Sequence, residues 1–338
     1  MSLRRFSVQL LSLSFLLSAL VGCSISIPLY SGTRAETMEL ETLIPAKSSW
    51  TRDKVLLLSI DGEISAGEGS GGMLDDPSTL VYVMDVLRRA ELNPSIKSVL
   101  LRINSPGGGV TASDLLYHEL MEYKKRGGAK IEAIFMGLAA SGGYYAAMAA
   151  DHITALPTGV TGSIGVIAFF PSVEGLTRKV GVDVRVIKSG PRKDIGSLFR
   201  DMQPEERAIL QGVVDQLQRR FLGVVEAGRP KLSPEKIREL ADGRVFTAQE
   251  ALENGLVDQV GYLSDAFGSA MRLANLTDAS LVVYKYPGDY KGNYYAIQDT
   301  KEKSPLPAPN AAAQVNLLNV DLGRARRVVE PFHFLWLP

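Results

Sequence analysis

The apolar residues of this chain come in short unbroken runs, with longer amphipathic stretches between them. Residues 54–60 read Lys-Val-Leu-Leu-Leu-Ser-Ile, which suits a strand buried on both faces. Runs at 98–103 and 131–136 have the same character. Between the first two, Asp76-Pro77-Ser78 opens a predicted helix through about Arg89, with Val81, Val83, Met84 and Leu87 at its apolar positions. A second helix is predicted over 112–125, stopped by Gly127-Gly128, and small residues at 146–150 allow a third. Further strands are predicted at 151–156, 165–170, 182–187 and 282–286. Helices are predicted over 204–227, from Pro234, up to Asn254, and over 263–273. Strands alternating with helices over about 200 residues imply an α/β fold with crossover connections. No internal repeat is evident, so this body reads as one domain.

The two ends differ from the middle. Arg4 and Arg5 precede an apolar stretch at 6–21, about the length of an export signal and short for a membrane span. It ends in Leu20-Val21-Gly22-Cys23, which resembles the lipobox of bacterial lipoproteins, where the cysteine is lipidated and becomes the new N-terminus. Cys23 is the single cysteine of the chain, so a disulfide within the chain is impossible. The reading is an exported, membrane-anchored lipoprotein: signal peptide 1–22, polar tether 23–53 and folded body 54–275. Residues 276–338 then hold a strand, a Pro/Ala-rich linker at 301–313 and an apolar, aromatic tail at 332–338.

Composition narrows the function. The 338 residues are 46% hydrophobic and 22% charged, as in a globular protein with a sizeable core. Net charge is zero and no long basic run occurs, which argues against nucleic acid as a partner. The glycine-rich stretch 67–72 lacks the Lys and Ser/Thr of a phosphate-binding loop.

Two glycine-bearing turns each follow a buried strand: Ser105-Pro106-Gly107-Gly108-Gly109, and Ser141-Gly142-Gly143 after 131–136. Parallel sheets place functional turns at the carboxyl ends of their strands. The turns can then lie side by side, one supplying a serine nucleophile and both supplying N–H donors to an oxyanion. A capping serine followed by packing glycines is the bland alternative. The base is harder to find. None of the three histidines, His118, His152 and His333, stands at the carboxyl end of a core strand, and Ala139 breaks the G-x-S-x-G pattern of the α/β-hydrolases. A lysine can serve instead, provided that burial lowers its pKa from about 10.4 toward 7–8, a cost of roughly 4 kcal/mol. Lys188 and Lys193 both follow the predicted strand at 182–187, and their chemistry alone does not separate them.

Four segments in this order resemble the signal peptide peptidase A family: Ser105–Val110, Ala139–Tyr145, Thr161–Val166 and Ser189–Asp194. Those bacterial Ser/Lys proteases are related to Clp protease and the crotonase fold, and the similarity extends over about 54–273. It implies an α/β fold of repeated β-β-α units with a helical C-terminal extension. It also implies Ser141 as nucleophile, Lys193 rather than Lys188 as general base, Ser163 as the serine that orients the lysine, and Gly108 with Gly142 as the oxyanion hole. No metal or organic cofactor is implied. The expected function is a membrane-attached serine endopeptidase that cuts remnant signal peptides or other apolar or misfolded exported polypeptides. Short-form members assemble as homo-oligomers in which neighbouring subunits share each active site. The tail at 332–338 is expected at a subunit contact or in a neighbour's groove. The alternatives are a non-catalytic membrane scaffold on the same fold and a crotonase-like acyl-CoA enzyme.

Overall fold

The computed structural model describes residues 38–66, 78–127, 129–286 and 295, and the backbone of one further strand, Phe332–Leu335. Cys23, the export segment 1–22, the stretch 67–72 and the linker 301–313 lie outside the described residues.

Three long parallel strands form the middle of the sheet: β2 (Lys54–Asp61), β3 (Ile96–Ser105) and β5 (Lys130–Ala140). Beyond β5 lie β6 (His152–Ala155) and β10 (Gln259–Val260), both parallel. Beyond β2 lie the parallel β11 (Ser280–Lys285) and the antiparallel edge strand β1 (Glu39–Ile44). Past the end of β6, β5 pairs instead with β7 (Val160–Gly162), and β9 (Val245–Thr247) joins β7 antiparallel. A separate small sheet holds β4 (Gly107–Gly109), β12 (Phe332–Leu335) and β8 (Ile167–Ala168), with β12 in the middle.

The unbroken apolar runs are explained by two cores. Alternate residues of a strand point to opposite faces. Leu56, Leu58 and Ile60 of β2 join Val99 and Leu101 of β3 and Phe135 of β5 on one face. There they pack with residues of α1 (Thr79–Glu91), α2 (Val110–Lys125) and α3 (Gly142–Ala147). Val55, Leu57, Leu100 and Ile134 face the other way, in a cluster with Leu263, Ala266 and Ala270 of α8 (Leu263–Leu273). Each fully buried Leu, Ile or Val contributes roughly 1.5–3 kcal/mol, so the two faces together supply the sheet's stability. The remaining helices are α4 (Glu174–Lys179), α5 (Pro204–Gly228), α6 (Pro234–Leu240) and α7 (Ala248–Glu253). This is the mixed α/β architecture, with a mostly parallel sheet, expected from the sequence.

Three local readings differ from the structure. Residues 182–187 are not a strand: Val182, Val184 and Val186 alternate, yet the whole segment is exposed and has no strand to pair with among the described residues. At 165–170 only Ile167–Ala168 is strand. Within 23–53, read as tether, the structure forms β1, which is held by its register to β11 rather than by an apolar period.

Candidate active site

Three turns converge at the carboxyl ends of the parallel strands. β3 runs through Pro106 into β4, β5 runs straight into Ser141, and β7 into Ser163. The pairing Ala140↔Gly162 brings the last two together, and Ser141 N–H donates to the Gly162 carbonyl at 2.8 Å. Both serines have positive φ, 52° at Ser141 and 48° at Ser163. A non-glycine residue there carries about 1–3 kcal/mol of strain, a cost that proteins retain where a side chain must be aimed. Ser163 is pinned by its N–H to the Arg244 carbonyl at 2.7 Å.

Ser141 is also the residue before α3, and its carbonyl accepts from Tyr145 N–H at 2.8 Å. Its hydroxyl is buried and has no hydrogen-bond partner among the described residues. Leaving a buried hydroxyl unsatisfied costs about 1–3 kcal/mol, so this hydroxyl is open to a partner that the described residues do not supply.

Gly142 and Gly108 lie against one another. A Cβ on Gly142 would fall 2.4 Å from Ser113 Oγ, 3.1 Å from Gly107 Cα and 3.1 Å from the Gly108 nitrogen. A Cβ on Gly108 would meet the Ile64 carbonyl oxygen at 2.1 Å. Only glycine fits at either position, and the two backbones meet beside Ser141, as an oxyanion hole requires.

Lys193 is exposed and does not reach Ser141, whose hydroxyl has no partner among the described residues. Lys188 is engaged elsewhere, donating to Asp194 Oδ1 at 2.6 Å and to the Pro191 carbonyl at 2.9 Å. Arg200 bridges Asp194 (2.9 Å) and Glu206 (2.6 Å) at the start of α5. Its guanidinium, with Lys188, holds the Asp194 carboxyl well below the usual range, and it brings Glu206 down to about 2. The segment carrying Lys193 is therefore tied onto α5. That segment also displays exposed Val182, Val184, Val186 and Ile187. Beside Ser163, a cleft of about 590 Å³ opens toward Gln211, Asp215 and Gln218 of α5.

Two of the three histidines stand apart from this site. His118 is exposed on α2. His152 Nδ1 lies 3.0 Å from Glu132 Oε1 and 3.4 Å from Ser269 Oγ. Serine and carboxylate meet the same ring nitrogen, so this trio cannot relay a proton as a hydrolase triad does. His333 belongs to β12, level with Gly109.

β12 lies on the candidate oxyanion strand. Phe334 pairs with Gly108 and Leu335 with Gly107, while Phe332 and His333 pair with Ala168 and Ile167 on the other side. Residues 332–335 thus lie in a groove between β4 and β8 of their own chain, not at the subunit contact or in the neighbour's groove expected of the tail. Sequence reasoning missed the Arg200 clamp, Ile64 beneath Gly108, and Ser113 against Gly142; each joins residues that no local pattern connects.

A strained, buried serine beside paired glycine turns, at the carboxyl ends of a mostly parallel α/β sheet, is the arrangement that a serine hydrolase uses for acyl transfer. The family model "Peptidase family S49" matches residues 123–277, and that of "Clp protease" matches 76–161. A Synechocystis protein named "Putative protease slr0021" is 42% identical over 232 residues, covering 69% of this chain and 78% of that protein. "Putative signal peptide peptidase SppA" of Enterococcus faecium is 37% identical over 232 residues, covering 69% and 67%. "Protease 4" of Salmonella typhi is 34% identical over 235 residues, which are 70% of this chain and 37% of that longer protein. The chain belongs to the signal peptide peptidase A family, peptidase family S49, and is a serine peptidase of Clp protease-like fold.

Proposed function

We propose that this protein is an envelope endopeptidase, anchored through lipidated Cys23, that cuts extended apolar segments of exported polypeptides with a Ser141/Lys193 dyad. The observation that carries the reading is β12, a polypeptide strand lying between β4 and β8 with Phe334 level with Gly108. A substrate bound the same way presents its backbone to the Gly108 and Gly142 N–H groups, and main-chain pairing accepts any extended segment. Apolar residues at 332, 334 and 335 fit apolar substrates such as remnant signal peptides.

In this mechanism Lys193 Nζ takes the Ser141 proton as Oγ attacks the peptide carbonyl. The oxyanion is held by Gly108 and Gly142, and Lys193 returns the proton to the leaving amine. Water then hydrolyses the acyl-enzyme with the same lysine as base. Ser163 steadies the lysine. The base is donated by a second copy of the chain. What supports this is the unpartnered Ser141 hydroxyl, the exposed Lys193, and the exposed valines and Ile187 on the segment that carries it. Enclosure at such an interface is what turns a lysine into a base.

The direct test uses the full chain in detergent with a fluorogenic apolar peptide and a fluorophosphonate probe. Wild type should cleave and label, whereas Ser141→Ala should do neither. Equal rates for both would instead favour a non-catalytic scaffold. Intact-mass analysis of the membrane form checks the anchor: a diacylglyceryl group on an N-terminal Cys23 is expected, and an unmodified Cys23 would remove that part of the reading.

A further inference from the structure

The helix that follows Ser141 is fastened by contacts that this reading has not used. Tyr145 of α3 is fully buried. Its ring packs edge-on against Tyr117 at 5.6 Å and at a tilt against Phe221 at 4.9 Å. Its hydroxyl donates to Asp114 Oδ1 in the second turn of α2. Burial first, and then the Asp114 carboxylate, push the Tyr145 phenol far above its ordinary pKa, so it stays a neutral donor. Arg220 of α5 reaches the same oxygen, with Nε at 3.0 Å and Nη2 at 2.9 Å, and its guanidinium also meets the Tyr145 hydroxyl.

The place of these contacts in the chain matters. α2 begins directly after β4, so its first turns move with Gly108. α3 begins at Gly142. The Tyr145–Asp114 hydrogen bond therefore spans the two helices that follow the candidate oxyanion donors: Gly142 is the first residue of α3, and Gly108 stands in β4, two residues before α2. The helices are already as close as their atoms allow, since Ser113, next to Asp114, leaves no room for a Cβ on Gly142. Contact stops the gap from narrowing, and the Tyr145–Asp114 bond stops it from widening.

We propose that Asp114 is a positioning residue for the oxyanion hole. It holds α3 against α2 through Tyr145, and Arg220 keeps its carboxylate aimed at that hydroxyl. The inference rests on the serine-peptidase reading with Gly108 and Gly142 as donors. Donors act only within a few tenths of an ångström of the oxyanion position, and a misplacement of about 1 Å costs about a hundredfold in rate. A smaller widening should cost about tenfold.

The test uses the full chain in detergent. Tyr145→Phe keeps the ring and its packing and removes only the hydroxyl. Its kcat should fall about tenfold, with KM within about twofold and Tm within about 3 °C of wild type. Inhibition by a peptide boronate, whose tetrahedral adduct needs the oxyanion hole, should weaken by the same factor. Arg220→Ala, at an exposed position, should lose about threefold, and adding it to Tyr145→Phe should cost little more. Asp114→Asn keeps an acceptor and should retain most of the activity that Asp114→Ala loses. A Tyr145→Phe enzyme with wild-type kcat and boronate affinity would overturn the proposal. So would a parallel loss of kcat, substrate affinity and Tm, since that marks general loosening. Should wild type and Ser141→Ala already be indistinguishable, the parent reading has failed, and this one with it.

Discussion

Gly108→Ala puts the geometry of the candidate oxyanion strand to the test. The new Cβ would stand 2.1 Å from the Ile64 oxygen, 2.6 Å from its nitrogen and 2.7 Å from its carbonyl carbon. Comfortable contacts lie near 3.5 Å, so the strands must part by about 1 Å. All three atoms are backbone, so no side chain can swing aside. The Ile64 backbone is held on both sides, its N–H donating to the Gly107 carbonyl at 2.8 Å and its carbonyl accepting from Gly109 N–H at 3.1 Å. Losing both bonds costs about 1–3 kcal/mol, and overpacking adds about 1–3 kcal/mol. The total is about 2–6 kcal/mol, or roughly 5–20 °C in Tm for a body of this size. If Gly108 is the proposed oxyanion donor, the same movement withdraws its N–H from the oxyanion, for an expected loss of about 10²–10³ in kcat. Thermal melting and peptide hydrolysis read the two effects separately. Gly223→Ala is the control: it lies in α5 with nothing within 4 Å of the added methyl, and should gain about 0.5–1 kcal/mol. A Gly108→Ala protein that melts within 2 °C of wild type and keeps kcat within about threefold would refute the reasoning.

Other expectations are as follows. Arg200→Ala should free Asp194 from Glu206 and loosen the segment carrying Lys193; peptidase activity should drop about tenfold while Tm changes little, and an unchanged rate would mean that the clamp does not matter to catalysis. The hydrogen bond to Glu132 raises the His152 pKa, so this pair stabilises the fold fully below about pH 6.5 and progressively less as pH rises through the raised value. Calorimetry should show the Tm of wild type falling relative to His152→Gln between pH 6 and 9, and parallel curves would exclude the coupling. Deleting 332–338 should empty the groove and lower the apparent KM for short peptides at least about twofold, whereas a raised KM would mean that the tail builds the site instead of filling it.

Much of this architecture can be read locally. Strands 54–60, 98–103 and 131–136 announce themselves because both of their faces are buried, and glycine at 107–109 and 142 answers a steric demand that the structure makes explicit. The errors share one cause. Val182, Val184 and Val186 have the alternation of a strand, but a strand needs a neighbour, and none of the described residues supplies one. β1 has little apolar signal because it is an edge strand with no fully buried residue, and its partner, β11, stands more than two hundred positions away. Arg220 and Asp114 meet across α5 and α2 for the same reason: their proximity is a product of the fold, with no local pattern to reveal it. Lys193 could be chosen over Lys188 only by resemblance, although the structure now shows Lys188 occupied by Asp194.

Whether the dyad is assembled from two copies of the chain is decided by mixing. Full-length chains should be used, because a truncation at residue 53 would remove β1 from the sheet. Ser141→Ala and Lys193→Ala are purified separately, shown to be inactive on an apolar peptide, and then dissociated and co-assembled. The shared-site account predicts that activity returns, approaching one quarter of wild type for random mixing of equal amounts, a rough figure that assumes independent sites. Mixed assemblies that stay inactive beside an active, identically treated wild type would contradict it, placing both groups in one subunit or the base on another residue.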